Sequence, residues 1–245
     1  MPDNINTSEE SSEATKVSIS VFFPCFNEAE SIASLVEKTL GVLNEVSEDF
    51  EIIIVNDGST DETAYIADSL AEKIEQVKVV HHEINSGYGS ALQTGFRSAT
   101  KELVFYTDGD EQFDISELPP LLKQIDGYDI VSCYRINRNE GAVRKLNAWC
   151  WGRLVNFVFG MHLRDIDCAF KLYKRKIFDN IEMRSTGALI DTEILARATK
   201  KGYTVTQTGV KHYPRIAGTS TGAKLSVILR AFKELFKLRR DIAAS

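Results

Sequence analysis

Three short apolar runs, each broken off by a polar loop, constrain this chain more than any other feature. Val17–Phe23 ends in P-C-F-N-E (Pro24 to Glu28), and Ile52–Val55 ends in N-D-G-S-T-D (Asn56 to Asp61). Leu103–Tyr106 ends in T-D-G-D-E-Q (Thr107 to Gln112). Short runs rich in β-branched and aromatic residues read as buried strands. Helical spacing follows the first two, with Ile32, Leu35, Val36, Leu40 and Leu43 on one face and Ile66, Leu70 and Ile74 on the next. Ser59, Thr60 or Asp61 is placed to cap that second helix. Val77–Val80 reads as a further strand, followed by the loop Asn85–Ala91 and a short helix to about Ala99. Strand and helix in alternation predict an α/β fold with a mostly parallel sheet flanked by helices. Ligands of such sheets bind at the carboxyl ends of the strands. Pro24–Glu28, Asn56–Asp61, Gly87–Gly89 and Asp108–Gln112 are therefore expected along one edge.

The second half is less regular. A helix over Ser116–Ile125, started by Ser116 and Pro119-Pro120, precedes a strand at Tyr128–Cys133. Arg144–Phe159 carries Leu146, Trp149, Leu154, Phe157 and Val158 at helical spacing, and with Trp151 and Phe159 it is unusually aromatic. Core packing is its first reading, and contact with lipid or acceptor its second. D-I-D-C-A-F-K-L-Y (Asp165 to Tyr173) reads as an acidic turn entering a strand. Asp191–Lys201 is a helix closed by Gly202, and Tyr203–Tyr213 is strand-like. Residues 1–16 are polar with little to bury and are expected to be a disordered tail. The expected division is a tail at 1–16, one domain at 17–222 and a C-terminal helix at 223–245. There is no internal repeat.

The acid-terminated run carries the clearest chemistry. Asp108 and Asp110 share a face at strand spacing and converge in the turn that Gly109 permits. Converging carboxylates make a hard-oxygen site for Mg²⁺ or Mn²⁺, which take one or two carboxylates plus substrate phosphates. Gln112 adds a neutral oxygen. An acidic turn also serves as a solvated cap, so the residues alone leave both readings open. Neither G-x-G-x-x-G nor a Walker lysine motif is present, which excludes a standard dinucleotide or P-loop pocket. The net charge of −6 argues against nucleic acid held by general electrostatics. Cys25, Cys133, Cys150 and Cys168 are scattered with no CxxC, which argues against zinc and fits a reducing compartment. The polar, acidic N-terminus is no secretory signal, and no apolar run reaches the ~18 residues of a membrane span. The expected location is cytoplasmic, with peripheral attachment to the cytoplasmic membrane face as an option.

Taken together and in this order, the three motifs resemble inverting family 2 glycosyltransferases of the GT-A (Rossmann-like) fold. D-I-D-C-A-F-K-L-Y and D-T-E-I-L-A-R-A resemble the dolichol-phosphate mannosyltransferase branch, with its polyprenyl-phosphate glycosyltransferases. The resemblance covers roughly Val17–Gly222. It implies that Pro24, Phe26, Glu28 and the Val55-Asn56-Asp57 stretch meet the nucleotide, with Asp57 accepting a hydrogen bond from the base. Uracil and guanine both offer the ring N–H that an ionised Asp needs. It implies Asp108, Gly109 and Asp110 as the D-x-D motif, with Gln112 as a third metal ligand. Arg135 and Arg144, with Lys145 as substitute, match residues that meet the donor diphosphate or acceptor phosphate. Arg215 matches a basic residue on an acceptor-side loop. Where that branch often has a lysine about six residues later, this chain has Thr221, with Lys224 beyond.

The implied reaction displaces a nucleoside diphosphate from the anomeric carbon of a UDP- or GDP-sugar. Its leaving charge would be met by the cation and by arginines. A polyprenyl or dolichyl phosphate acceptor is already an anion and needs little base. A hydroxyl acceptor, as in polysaccharide synthesis, needs one, and Asp165, Asp167 and Asp191 are candidates, Asp165 favoured by its motif position. For Asp191 an N-cap role is an equal reading. The last helix, about Ala223–Arg240, sets Leu225, Ile228, Leu229, Phe232, Leu235 and Phe236 against a basic face. Such a helix lies in a membrane interface or packs on its own domain. His81, His82 and His212 have no partner motif and read as hydrogen-bonded or surface histidines. A sugar-nucleotide nucleotidyltransferase would start with a Gly-rich basic loop, which P-C-F-N-E is not. A receiver-like binding module would not need residues 144–222.

Overall fold

The structure is a computed structural model that describes residues 17–136, 142–214 and 225–244, with side chains described at 17–136, 146–214 and 234–244. The tail, Arg215, Thr221 and Lys224 lie outside the described residues. So do the side chains of Arg144, Lys145, Leu225, Ile228, Leu229 and Phe232.

The expected alternation is present. Strands β1 (Ser18–Cys25), β2 (Asp49–Asn56), β3 (Val77–His81) and β4 (Leu103–Thr107) are separated by helices α1 (Ile32–Val46), α2 (Thr63–Lys73) and α3 (Tyr88–Ser98). Then come α4 (Leu118–Gln124), β5 (Ile130–Ile136), α5 (Ala142–Phe159), β6 (Phe170–Lys174), α6 (Ile190–Lys200), β7 (Val205–Lys211) and α7 (Leu225–Ala244). The seven strands form one sheet in the order β3-β2-β1-β4-β6-β5-β7. Only β6 runs against its neighbours β4 and β5. The carboxyl ends of β1, β2, β4 and β5 consequently share one edge.

Pro24, expected to end the first strand, lies inside β1 opposite Val55. The pairing of β1 with β4 stops at Phe22 and Tyr106, so Pro24 stands where one side of β1 has no ladder to donate to. The helix expected from Ser116 begins as a 3-10 turn at Ile115–Glu117, and Asp114 caps it by accepting the Ser116 amide at 2.9 Å.

Strands β1 and β2 are buried on both faces, as expected under helices on either side. Phe22 stacks on Tyr106 with ring centroids 5.5 Å apart, and Phe96 of α3 meets both rings edge-on. A Cβ at Gly95 would come within 2.2 Å of the Phe22 ring, so α3 reaches the sheet only because position 95 has no side chain. Leu235, Leu238 and Ile242 of α7 are buried, Phe236 is exposed, and Lys200 of α6 donates to the Ile242 carbonyl. The described end of α7 thus packs on its own domain. Among the described residues no helix is long and apolar enough to cross a membrane.

Candidate active site

The motif loops leave the sheet side by side and are stitched together by side chains. Asn27 Oδ1 accepts the Thr60 amide at 2.8 Å, and the Asn27 amide donates to Ser59 Oγ at 3.0 Å. The Glu28 amide donates to Thr63 Oγ1 at 2.8 Å. Ser31 Oγ donates to the Gly109 carbonyl at 2.7 Å, and Ser34 Oγ to Glu111 at 2.9 Å. P-C-F-N-E is therefore fastened to the second motif, and the start of α1 that follows it to the third. Phe26 stands 44% exposed, and Pro24 is buried.

Asp108 and Asp110 lie just past the end of β4, Asp110 buried and Asp108 half-buried. Tyr88, at the start of α3, donates to Asp108 Oδ1 at 3.0 Å. The Gln112 amide donates to Asp110 Oδ1 at 3.1 Å. Desolvation, then the neighbouring Asp110 charge, pushes the Asp108 carboxyl up to about 7, against the pull of the Tyr88 hydrogen bond. Among the described residues no third His, Cys, Asp or Glu joins them. This donor set suits a hard cation completed by phosphate oxygens. Gln112 gives its side-chain NH₂ to the Tyr213 carbonyl at 3.1 Å, which leaves its amide oxygen for a cation.

Asp57 is more occupied than its expected role requires. Its Oδ1 accepts the Ser86 amide at 2.9 Å and faces His82 Nδ1 at 2.6 Å, while Oδ2 accepts the Gly87 amide at 2.9 Å. His82 Nε2 lies 2.9 Å from Thr94 Oγ1. Asp57 thus latches the loop before α3, and lone-pair counting leaves an acceptor site on Oδ2 for a base N–H. The glycines of that loop serve packing. The Gly89 amide donates to the Thr186 carbonyl at 3.0 Å, and a Cβ at Gly89 would come within 2.6 Å of the Ser185 carbonyl oxygen. His81 bridges Asn56 and Asp68 and His212 packs edge-on to Phe113, so all three histidines have partners, as their sequence reading expects.

On the β6 side the candidate charges meet one another. Arg135 grips Asp165 with both arms, Nε to Oδ2 at 2.7 Å and Nη2 to Oδ1 at 2.8 Å. A carboxylate held this way is a poor proton acceptor, and two of the five guanidinium donors are engaged with it. Asp191 is not a cap. It lies in the first turn of α6, where Lys171 Nζ donates to it at 2.7 Å and the Tyr106 hydroxyl also donates. Lys171 has no exposed surface and also donates to Tyr106 Oη at 3.0 Å and the Cys168 carbonyl at 2.5 Å. Asp167 faces solvent but is ringed by protein. That desolvation, with Asp191 and Asp165 near, pushes its carboxyl up to about 6. Tyr88, His82 and Lys171 were not candidates from sequence. Only Lys171 left a signal there, as a lysine inside an otherwise apolar strand.

A family model described as Glycosyl transferase family 2 matches residues 20–182. The chain belongs to glycosyl transferase family 2. The chain is 32% identical over 187 residues to an undecaprenyl-phosphate 4-deoxy-4-formamido-L-arabinose transferase of Photorhabdus laumondii. The match spans 74% of this chain and 57% of that relative. Among solved structures it is similar to the glucosyl-3-phosphoglycerate synthase of Mycobacterium tuberculosis bound to UDP, with a TM-score of 0.71 at 17% identity over 91% of this chain and 80% of that one. The same enzyme with Mn²⁺, UDP-glucose and phosphoglyceric acid gives the same values. Its complex with Mg²⁺ and UDP gives 0.64 at 17% identity over 93% and 77%. These likenesses establish the GT-A fold.

Proposed function

We propose that this glycosyltransferase moves a hexose from a UDP- or GDP-sugar to a polyprenyl phosphate, with Mg²⁺ or Mn²⁺ held by Asp108 and Asp110. The observation that carries the donor half is the acidic pair at the end of β4, one member pushed up to about 7 and short of positive charge. A divalent ion there would stabilise the departing diphosphate as a Lewis acid. Pro24, Phe26, Glu28 and Val55 form the wall against which the nucleotide lies, Asp57 offers Oδ2 to the base, and Gly109 lets the acidic turn approach. Tyr88 aims Asp108. Arg144 and Arg215 are the cations left for the phosphates, because Arg135 is engaged with Asp165.

The acceptor half leans on the polyprenyl-phosphate relative and on the second-half motifs. An acceptor that is already an anion needs no base, which fits a site where Asp165 and Asp191 are both ion-paired. A hydroxyl acceptor is the second reading. The raised carboxyl of Asp167 favours it, since a base works best near the operating pH.

The test has two arms. Thermal shifts with UDP- and GDP-sugars, with and without Mn²⁺, are expected to show metal-dependent stabilisation by one nucleotide class. Radiolabelled sugar is then expected to pass to a short-chain polyprenyl phosphate and to do so equally in Asp167→Asn. Transfer only to a hydroxyl acceptor, lost in Asp167→Asn, would replace the first reading with the second.

A further inference from the structure

The aromatic helix α5 does not bury the side that its composition leads one to expect. Val155 and Val158 face the core, whereas Leu146, Trp149 and Phe157 are 58%, 61% and 84% exposed. Their spacing, with Arg153 between them, places all four on one stripe of the helix. The Arg153 guanidinium lies 5.5 Å over the Trp149 ring. Beside the stripe is a groove of about 700 Å³, walled by Trp149, Arg153 and Phe157 on α5 and by Gly160–Arg164 on the return. Isolated surface hydrophobics are ordinary, but a contiguous aromatic stripe beside a groove marks a contact surface.

Charge selects the occupant. From Ala142 to Arg164 the chain carries Arg144, Lys145, Arg153 and Arg164 and no acidic residue, in a protein of net charge −6. A second copy docking on the same face would set arginine against arginine. An anionic lipid surface meets both halves of the pattern. Trp and Phe bury at the headgroup boundary while Arg side chains reach the phosphates. Each basic residue near such a surface adds roughly fivefold in binding.

We propose that the outward stripe of α5, with the return at Gly160–Arg164, docks this enzyme on a membrane surface carrying anionic lipid. The purpose of the docking rests on the polyprenyl-phosphate reading. Strand β5 runs parallel to β4, so Ile136 leaves the sheet at the edge that holds Asp108, and α5 follows it. Asp165, directly after the return, is held by Arg135 at the same edge. The segment that docks therefore leaves and rejoins the sheet at the edge that holds the acidic turn, which would let a phosphate standing out of the bilayer meet the site without leaving the membrane surface.

The test is flotation of the full chain, in a Trp151→Phe background, with vesicles of phosphatidylcholine alone or mixed with phosphatidylglycerol. Binding to the mixed vesicles is expected, with a blue shift of Trp149 fluorescence. The Trp149→Ser/Phe157→Ser variant is expected to lose at least about tenfold in partitioning. The Arg153→Glu/Arg164→Glu variant is expected to lose binding to the anionic vesicles, and both variants to keep the metal-dependent thermal shift with sugar nucleotide. Undiminished flotation of both variants would overturn the proposal. So would loss of flotation on Lys237→Glu/Arg240→Glu in its place, or a dimer in solution that Trp149→Ser/Phe157→Ser dissociates. Transfer to a water-soluble short-chain prenyl phosphate without vesicles separates the two readings. Its absence would remove the acceptor assignment and leave the docking result standing.

Discussion

Two carboxylates at opposite ends of one sheet, one buried and one half-buried, are treated in opposite ways. Glu51, near the start of β2, is 2% exposed and accepts from four donors. Ser20 Oγ donates at 2.6 Å, the Thr100 amide at 2.7 Å and its hydroxyl at 2.8 Å, and Lys78 at 2.7 Å. Desolvation pushes its carboxyl up, but these donors outweigh it and hold it at about 2. Asp108, at the other end, has Tyr88 as its hydrogen-bond donor and Asp110 as a like-charged neighbour, and it is pushed up to about 7. The first carboxylate is completed by the protein, and the second is left for something else to complete. That is the difference between a structural charge and a binding site. Asp191, held by Lys171, belongs to the first kind although it lies on the side of the site.

The comparison breaks most visibly at Asp191. Lys171→Met leaves a buried carboxylate unpaired and is expected to cost about 3–5 kcal/mol of stability, read by urea unfolding. A loss under 1 kcal/mol would remove Asp191 from the structural class. Asp110→Asn is expected to cut turnover at least ~100-fold, or about 2.7 kcal/mol, with near-normal folding. Near-normal turnover would take the acidic turn out of the mechanism.

Glu51→Gln is expected to do the reverse. It should lose about 1.5–3 kcal/mol of stability while turnover per folded molecule stays the same. Because the folded carboxyl sits at about 2 against an ordinary value of 4.5, its contribution is full above pH 4.5 and fades as the pH falls toward 2. Acid unfolding of the variant should be flatter across that window.

The smallest effect sharpens the contrast. Asp108 is raised from 3.8 to about 7, so without a cation the fold loses stability as the pH rises through that range. A bound cation requires the ionised form. Mn²⁺ affinity, followed by calorimetry, should therefore fall about tenfold per pH unit below 7 and level off above it. An affinity flat from pH 5 to 8 would mean that the pair is not the ligand.

The parts legible in sequence were those governed by local pattern. Apolar runs ending in acid gave the strands of the first half and the shared edge, because strand period and loop chemistry are short-range signals. Long-range pairings were not legible. Their motifs present Arg135 and Asp165 as separate functional groups, and only the structure shows that they pair bidentately. The motif directs Asp57 toward a nucleotide, yet it also latches the loop before α3 through Ser86 and Gly87. Tyr88 and Tyr106 looked like ordinary aromatic residues, since nothing local reveals which carboxylate a hydroxyl meets across 20 or 85 positions. Helix α5 shows a different limit. Its apolar residues are spread round the helix among Arg144, Lys145, Asn147, Arg153 and Asn156, so periodicity cannot say which side turns outward.

The sealed ammonium of Lys171 also makes an internal reporter. An amine-directed reagent reaches it only when the wall formed by β4, β6 and α6 parts, whereas Lys237 on the surface reacts at once. The ratio of the two labelling rates, read by mass spectrometry, therefore times the breathing of the wall beside the site.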